Sequence, residues 1–246
     1  MQEYWEKYKK PIDGKPATVA FNADFINECD GYEYMYVGFV KIELKNPKED
    51  GLIADEELDM VSQIEDRLEF EALRFRVGKY VGLIASDGAV NFIYYLKLDF
   101  EWSGAVAEAM KHFDYSYTYG SREDMQYEVY KKLLYPDIYQ WQIINNHNAC
   151  MQLYSQGDLL QEARAIEHTL HVNEEMKEKL EKSLKEKGFH LLLERENEHA
   201  PYSHTLKVFR KDIPEYYKMD EITLELIKLA EIYDGVYDGW ECSVVK

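Results

Sequence analysis

Apolar residues along the chain change period several times, and each change predicts an element. Residues 17–24 (ATVAFNAD) read as a strand. Residues 32–44 alternate strictly, with Met35, Val37 and Phe39 on one side and Tyr34, Tyr36, Val40, Ile42 and Leu44 on the other. Over 55–74 the spacing becomes helical through Leu58, Val61, Ile64, Leu68 and Ala72, with Asp55, Glu56 and Glu57 at the start, where the helix dipole favours carboxylates. KYVGLIAS and VNFIYYLKL, joined by Asp87-Gly88, predict a hairpin. A shorter helix over 101–113 and a strand over 115–120 complete the first half.

The second half repeats the order. A strand is predicted over 163–172 and a helix over 173–188, with Asn173 as N-cap, Met176, Leu180 and Leu184 inward, and Gly188 as the stop. FHLLLERE and SHTLKVFR read as strands. A helix over 219–235 follows, capped by Asp220 and ended by Gly235, and 235–245 is the last strand. Both halves are strand–helix–strand–strand–helix–strand, with an extra strand in front of the first. The predicted fold class is α+β: two ferredoxin-like (split βαβ) antiparallel sheet domains, each with helices on one face. The repeat is one of topology, without similarity of residues. Residues 122–158 are too poor in Gly and Ser for a flexible linker and read as a helical connector broken near Pro136. The expected domains are 1–124 and 158–246, with the connector at 125–157.

Charge alters this picture more than composition does. The net charge is −18, and divided at Gly157 the parts carry −11 and −7, so neither half has the balance that draws a protein to phosphate backbones or anionic membrane. A basic protein partner suits it better, although acidity also serves solubility alone. Cys29, Cys150 and Cys242 lie far apart, with no Cys-x-x-Cys, and no run of eighteen apolar residues occurs. The N-terminus lacks the apolar core of a signal peptide, so the expected location is cytoplasmic.

Candidate chemistry is sparse. There is no phosphate-binding glycine loop and no nucleophile elbow, and no motif asks for a cofactor. His168 and His171, three apart on a strand, should point to opposite faces. His147 and Cys150 share a helix face but fall short of a zinc ligand set. Tyr115, Tyr117 and Tyr119, with Tyr34 and Tyr36, form aromatic rows that could stack bases on an open sheet face, but the basic surroundings of an RNA platform are missing. In GVYDGWECSVV, Asp238-Gly239 reads as a bend or bulge, anchored by Tyr237 and Trp240. Trp240 is expected to be largely buried, and Gly239 to occupy a place where a β-carbon fits poorly.

Ile166-Glu167-His168, the acidic start of the following helix, its Lys-Gly-Phe stop and the run Tyr237, Asp238, Gly239, Trp240 together resemble the regulator of ribonuclease activity B family, bacterial ribonuclease E inhibitors. Upstream, WEKY, GKPATVAFN, the PKEDGL turn and LLYPDIYQW resemble the family called domain of unknown function 695. The resemblance implies a ferredoxin-like second domain that acts by protein contact without catalysis, on a partner such as an endoribonuclease with a basic surface. It makes Glu167, His168, Tyr237, Asp238, Gly239 and Trp240 the residues to follow. Two other readings stay open. One is an enzyme with a site in the cleft between domains, using His168 or His171 as acid–base group. The other is an RNA-binding module on the tyrosine face.

Overall fold

A computed structural model describes residues 3–31, 33–197 and 201–245. The chain divides into two compact units, 1–140 and 141–246. Residues 125–140 of the expected connector pack in the first unit and 141–155 in the second.

The first unit is built on a six-stranded antiparallel sheet. Its elements are β1 (Trp5–Ile12), β2 (Lys15–Asn22), β3 (Tyr36–Glu43), α1 (Leu58–Phe75), β4 (Gly78–Ser86), β5 (Ala89–Leu96), α2 (Trp102–Met110) and β6 (Tyr117–Glu123). The order β1-β2-β4-β5-β3-β6 contains the split βαβ arrangement in β4-β5-β3-β6, extended by the β1–β2 hairpin. Period-two alternation puts Val40 and Ile42 of β3 and Phe92, Tyr94 and Leu96 of β5 on one face. There they meet Ile64 and Leu68 of α1 and Val106 of α2 in one buried cluster. β1 corrects the sequence reading, which began one strand later. Only Tyr8 of β1 is buried, so its apolar pattern is faint. The turn carries the missed signal: Asp13 and Gly14 have φ of 51° and 76°, the same left-handed pair as Asp87 (53°) and Gly88 (74°) in the β4–β5 hairpin.

The opposite face is roofed in part. A 3-10 turn over Ala23–Glu28 and the segment 124–135, with a π-helical turn at Tyr130–Leu134, lay aromatic rings over it. Phe25 lies at the centre, with ring centroids 5.0 Å from Tyr130, 5.2 Å from Tyr95, 5.7 Å from Tyr34 and 5.9 Å from Tyr127. Hydroxyls that enter this layer find acceptors: Tyr130 donates to the Asn22 carbonyl at 2.6 Å and Tyr95 to Asp124 at 2.6 Å.

The second unit holds α3 (Ile138–Ser155, from residue 141), β7 (Arg164–Val172), α4 (Glu174–Glu186), β8 (His190–Glu196), β9 (His204–Asp212), α5 (Tyr216–Ile232) and β10 (Val236–Cys242). Its sheet order, β10-β7-β9-β8, all antiparallel, is again ferredoxin-like. Ile166, Leu170, Leu206 and Val208 face Leu180, Leu184, Leu226 and Ala230 of the helices, and all eight are buried. Two caps differ from expectation. Glu215, four residues before the predicted start, caps α5 by accepting from the Tyr217 and Lys218 N–H groups. Asp220 lies inside that helix instead, bonded to Asn146. Asn173 stands at the α4 N-cap position, but its side chain accepts from the Ser203 N–H at 3.1 Å.

Candidate functional site

β7 and β10 bring together the residues singled out in the sequence. Their register pairs Tyr237 with Leu170, Gly239 with Thr169 and Trp240 with His168, so one residue, Asp238, is left over as a bulge. In a regular strand, Tyr237 and Trp240 would point to opposite faces. The extra residue puts both on the face that carries the helices. Gly239 takes φ +136° to allow this, a conformation that L side chains rarely adopt. Nothing lies within 4 Å of where its β-carbon would stand, so backbone conformation rather than crowding asks for glycine there. The deep anchor is Tyr237, 5% exposed, whereas Trp240 is only half-buried, which corrects the expectation that Trp240 is largely buried.

His168 is completely buried. Its Nδ1 is hydrogen-bonded to the Tyr237 hydroxyl at 2.9 Å, and its ring meets Phe189 edge-on at 5.5 Å. Burial pushes its pKa down to about 4, the nearby Arg210 pushes the same way, and Asp212 opposes them. The ring is therefore neutral near pH 7 and out of reach of any substrate. His171 stands on the opposite face, as the strand period requires. It bonds Thr205 Oγ1 through Nδ1 at 2.9 Å and approaches the bulged Asp238 carboxylate at 3.5 Å. On that open face Glu167 lies directly across from Glu241, and Lys207 from β9 bridges the two like charges, 3.2 Å from Glu167. By register the same face also carries Lys211 of β9 and His190 and Arg195 of β8, so carboxylates and cationic groups are interspersed on it.

Sequence reasoning missed the group that fixes Trp240. Asn146 of α3 is fully buried and satisfied on all sides. Its carbonyl accepts from Trp240 Nε1 and Gln142 Nε2, both at 2.8 Å, and its amide donates to Asp220 and to Thr223 Oγ1, also at 2.8 Å. Nothing in Ile143-Ile144-Asn145-Asn146 marks the last asparagine as the one that turns inward. Also unforeseen is the buried pair Asp158–Arg164, bidentate at 2.7 and 3.0 Å. Asp158 further accepts from the N–H groups of Leu160 and Val245, which ties the end of the described chain to the start of β7. Burial alone would raise the Asp158 pKa, but Arg164 and the two N–H groups outweigh it and hold the carboxyl at about 2.

The tyrosine rows do not form the platform imagined for RNA. Tyr117 and Tyr119 pair with Ile42 and Val40, so they lie on the helix-bearing side, at the sheet edge. Tyr115 gives its hydroxyl to the buried Glu57 at 2.7 Å. Tyr34 is buried against Phe25, ahead of β3. Nor do the histidine and cysteine of α3 converge on one ligand point. His147 approaches Asp220 at 3.3 Å, while Cys150 Sγ meets the Pro214 carbonyl at 3.4 Å. Among the described residues no group of three or more His, Cys, Asp or Glu is placed to hold a metal, and no helix is long and apolar enough to cross a membrane.

Fold and site together define an α+β protein of two ferredoxin-like units whose marked residues hold a strand pair in place. The family model described as a family of unknown function (DUF695) matches residues 3–135, more than half of the chain, and the chain belongs to that family. The model described as regulator of ribonuclease activity B matches residues 143–242, nearly the whole second unit. No curated protein matches the chain. Among solved structures, one titled as an unknown protein from Galdieria sulphuraria is 12% identical, with 85% of this chain and 97% of that one covered, at a TM-score of 0.24. Another, titled as a hypothetical protein, is 10% identical, with 99% and 100% covered and the same TM-score of 0.24. Superpositions this loose carry no weight for fold or function.

Proposed function

We propose that the protein is a non-enzymatic regulator that binds an endoribonuclease of RNA processing or decay through its second unit and modulates its activity. The observation that carries this reading is the match of residues 143–242 to the regulator of ribonuclease activity B model. Two features support it. His168, Tyr237 and Trp240 are committed to packing, with His168 sealed in the core and Trp240 held by Asn146, so these three serve shape rather than bond-making. The acidic balance of −18 suits a basic partner, for which opposite charge speeds encounter and a few desolvated anchors supply most of the affinity. RNA cleavage by a purified endoribonuclease of the ribonuclease E type, measured with and without this protein across a salt series, tests the reading. The expected result is altered cleavage together with a complex that weakens as salt rises, since exposed charges are screened within about 8–10 Å at physiological strength. Unchanged cleavage and no complex at low salt would remove that enzyme as the partner.

A further inference from the structure

Where the aromatic roof leaves the first sheet open there is a groove of about 580 Å³, a volume typical of small-molecule sites. It crosses the sheet from the β1–β2 turn, with Asp13 and Lys15, to Arg122 on the edge strand β6. Ile84, Ile93 and Val37 form a buried apolar floor, and Val129 and Leu133 of the roof segment form one wall. Phe39 is 38% exposed, and its ring rests on β6 at Gly120, where a β-carbon would stand 2.9 Å from it. Lys41 and Asn91, opposite each other across β3 and β5, make the polar rim. Some of the polar groups are already engaged: Lys15 with Asp87 at 2.5 Å, Lys41 with Glu43 at 2.7 Å, and Ser86 with the Pro16 carbonyl. The side chains of Arg122 and Asn91 make no hydrogen bond or ion pair with any described residue.

We propose that this groove binds an aliphatic carboxylate, with its head group on the Arg122 guanidinium and its chain along Val37, Ile93 and Ile84 beneath Val129 and Leu133. Three observations favour such a ligand. First, the charge is complementary: Lys15, Lys41 and Arg122 line the groove against Asp13 and Asp87, a positive balance in a chain of net charge −18. The uncommitted guanidinium matches a carboxylate fork, and the Asp13 carboxylate at the far end orients an anion toward it. Second, the floor strands β4, β5 and β3 are paired on both sides, so they offer no free backbone for a peptide to join as a strand. Third, the length fits. From Arg122 on β6 to Ile84 on β4 is three strand spacings, about 14 Å, which a saturated acid of about ten carbons spans. The site lies in the first unit, to which the ribonuclease reading gives no role.

The test is the binding of decanoate, kept below micelle formation, to the full chain by calorimetry and amide chemical shifts. The expected result is one saturable site with a Kd below about 1 mM, and shifts in β3, β5 and β6 but not in β7 to β10. Decylammonium keeps the chain and reverses the charge, and it should bind there at least about tenfold more weakly. Arg122→Gln changes an exposed side chain without partners, so the fold should stand while the decanoate Kd rises about tenfold. Leu133→Glu, a second variant at an exposed position, sets a carboxylate on the apolar wall and should weaken decanoate at least as much. An absence of saturable decanoate binding would overturn the proposal and leave the groove to a macromolecular partner. Decylammonium held as tightly at the same amides, or a decanoate Kd indifferent to both substitutions, would overturn it equally.

Discussion

Away from its helices, the sheet of the first unit is roofed in part by the rings around Phe25, whereas the corresponding face of the second sheet carries the charged and polar side chains Glu167, Lys207, Glu241 and His171. The second unit draws its definition from polar links on the helix side instead: Asn146 to Trp240, His168 to Tyr237, Asp158 to Arg164. One connectivity thus rests on two kinds of closure. Buried aromatic area is indifferent to pH and direction, while buried hydrogen bonds demand a particular protonation state and geometry. The units should therefore fail under different insults.

The largest effect is expected where area dominates. Phe25→Ala removes the ring shared by four tyrosines and should cost about 3–5 kcal/mol. Hydrogen exchange should show the loss across β2 and β5 and leave the amides of β7 and β9 as protected as before. Equal loss in both sheets would break the contrast drawn above.

Acid sharpens the contrast from the other side. The His168 pKa lies at about 4 in the folded protein, below its ordinary 6.5, so the unfolded chain takes up the proton first. Stability from the neutral ring is complete above 6.5 and drains away as pH falls toward 4, by about 3 kcal/mol in all. Asp158, held at about 2, gives way only in stronger acid. In the first unit Glu65 runs the opposite way: burial raises its pKa, against the pull of the Tyr80 hydroxyl, so its contribution grows as pH falls. Exchange rates measured from pH 7 to pH 4.5, corrected for intrinsic chemistry, should rise in β7 and β9 more than in β4 and β5. His168→Leu should flatten that slope, and a slope unchanged by it would assign the effect to another group.

The smallest predicted change tests the bulge. Gly239→Ala forces a side chain into φ +136° and should cost about 1–3 kcal/mol although space is open. Asp238→Ala, at an exposed bulged position, should cost much less. Thermal melts of the two variants, compared side by side, check the order.

Much of this architecture was legible because core strands such as β3 and β7 alternate cleanly, and α4 and α5 end in recognisable stops. β1 was not, since an edge strand that buries a single tyrosine leaves little period to read, and its Asp13-Gly14 turn was the one usable sign. In the site, opposite orientations for His168 and His171 follow from strand period alone, and the bulge follows from Asp-Gly. The relative depth of Tyr237 and Trp240 does not. It depends on Asn146, ninety-four positions away in sequence, and no local pattern encodes a partner at that distance.

The bulge in β10 also separates spelling from length. What keeps Tyr237 and Trp240 on one face is that the bulge counts two residues, Asp238 and Gly239, as one opposite Thr169. The identity of Asp238 matters little to that fit. Deleting Asp238 would leave a regular ladder in which Tyr237 and Trp240, then two apart, still share the helix-bearing face. In a lineage of such chains, this run should tolerate varied letters at the second place, and even its loss, so long as Trp240 keeps its register on His168.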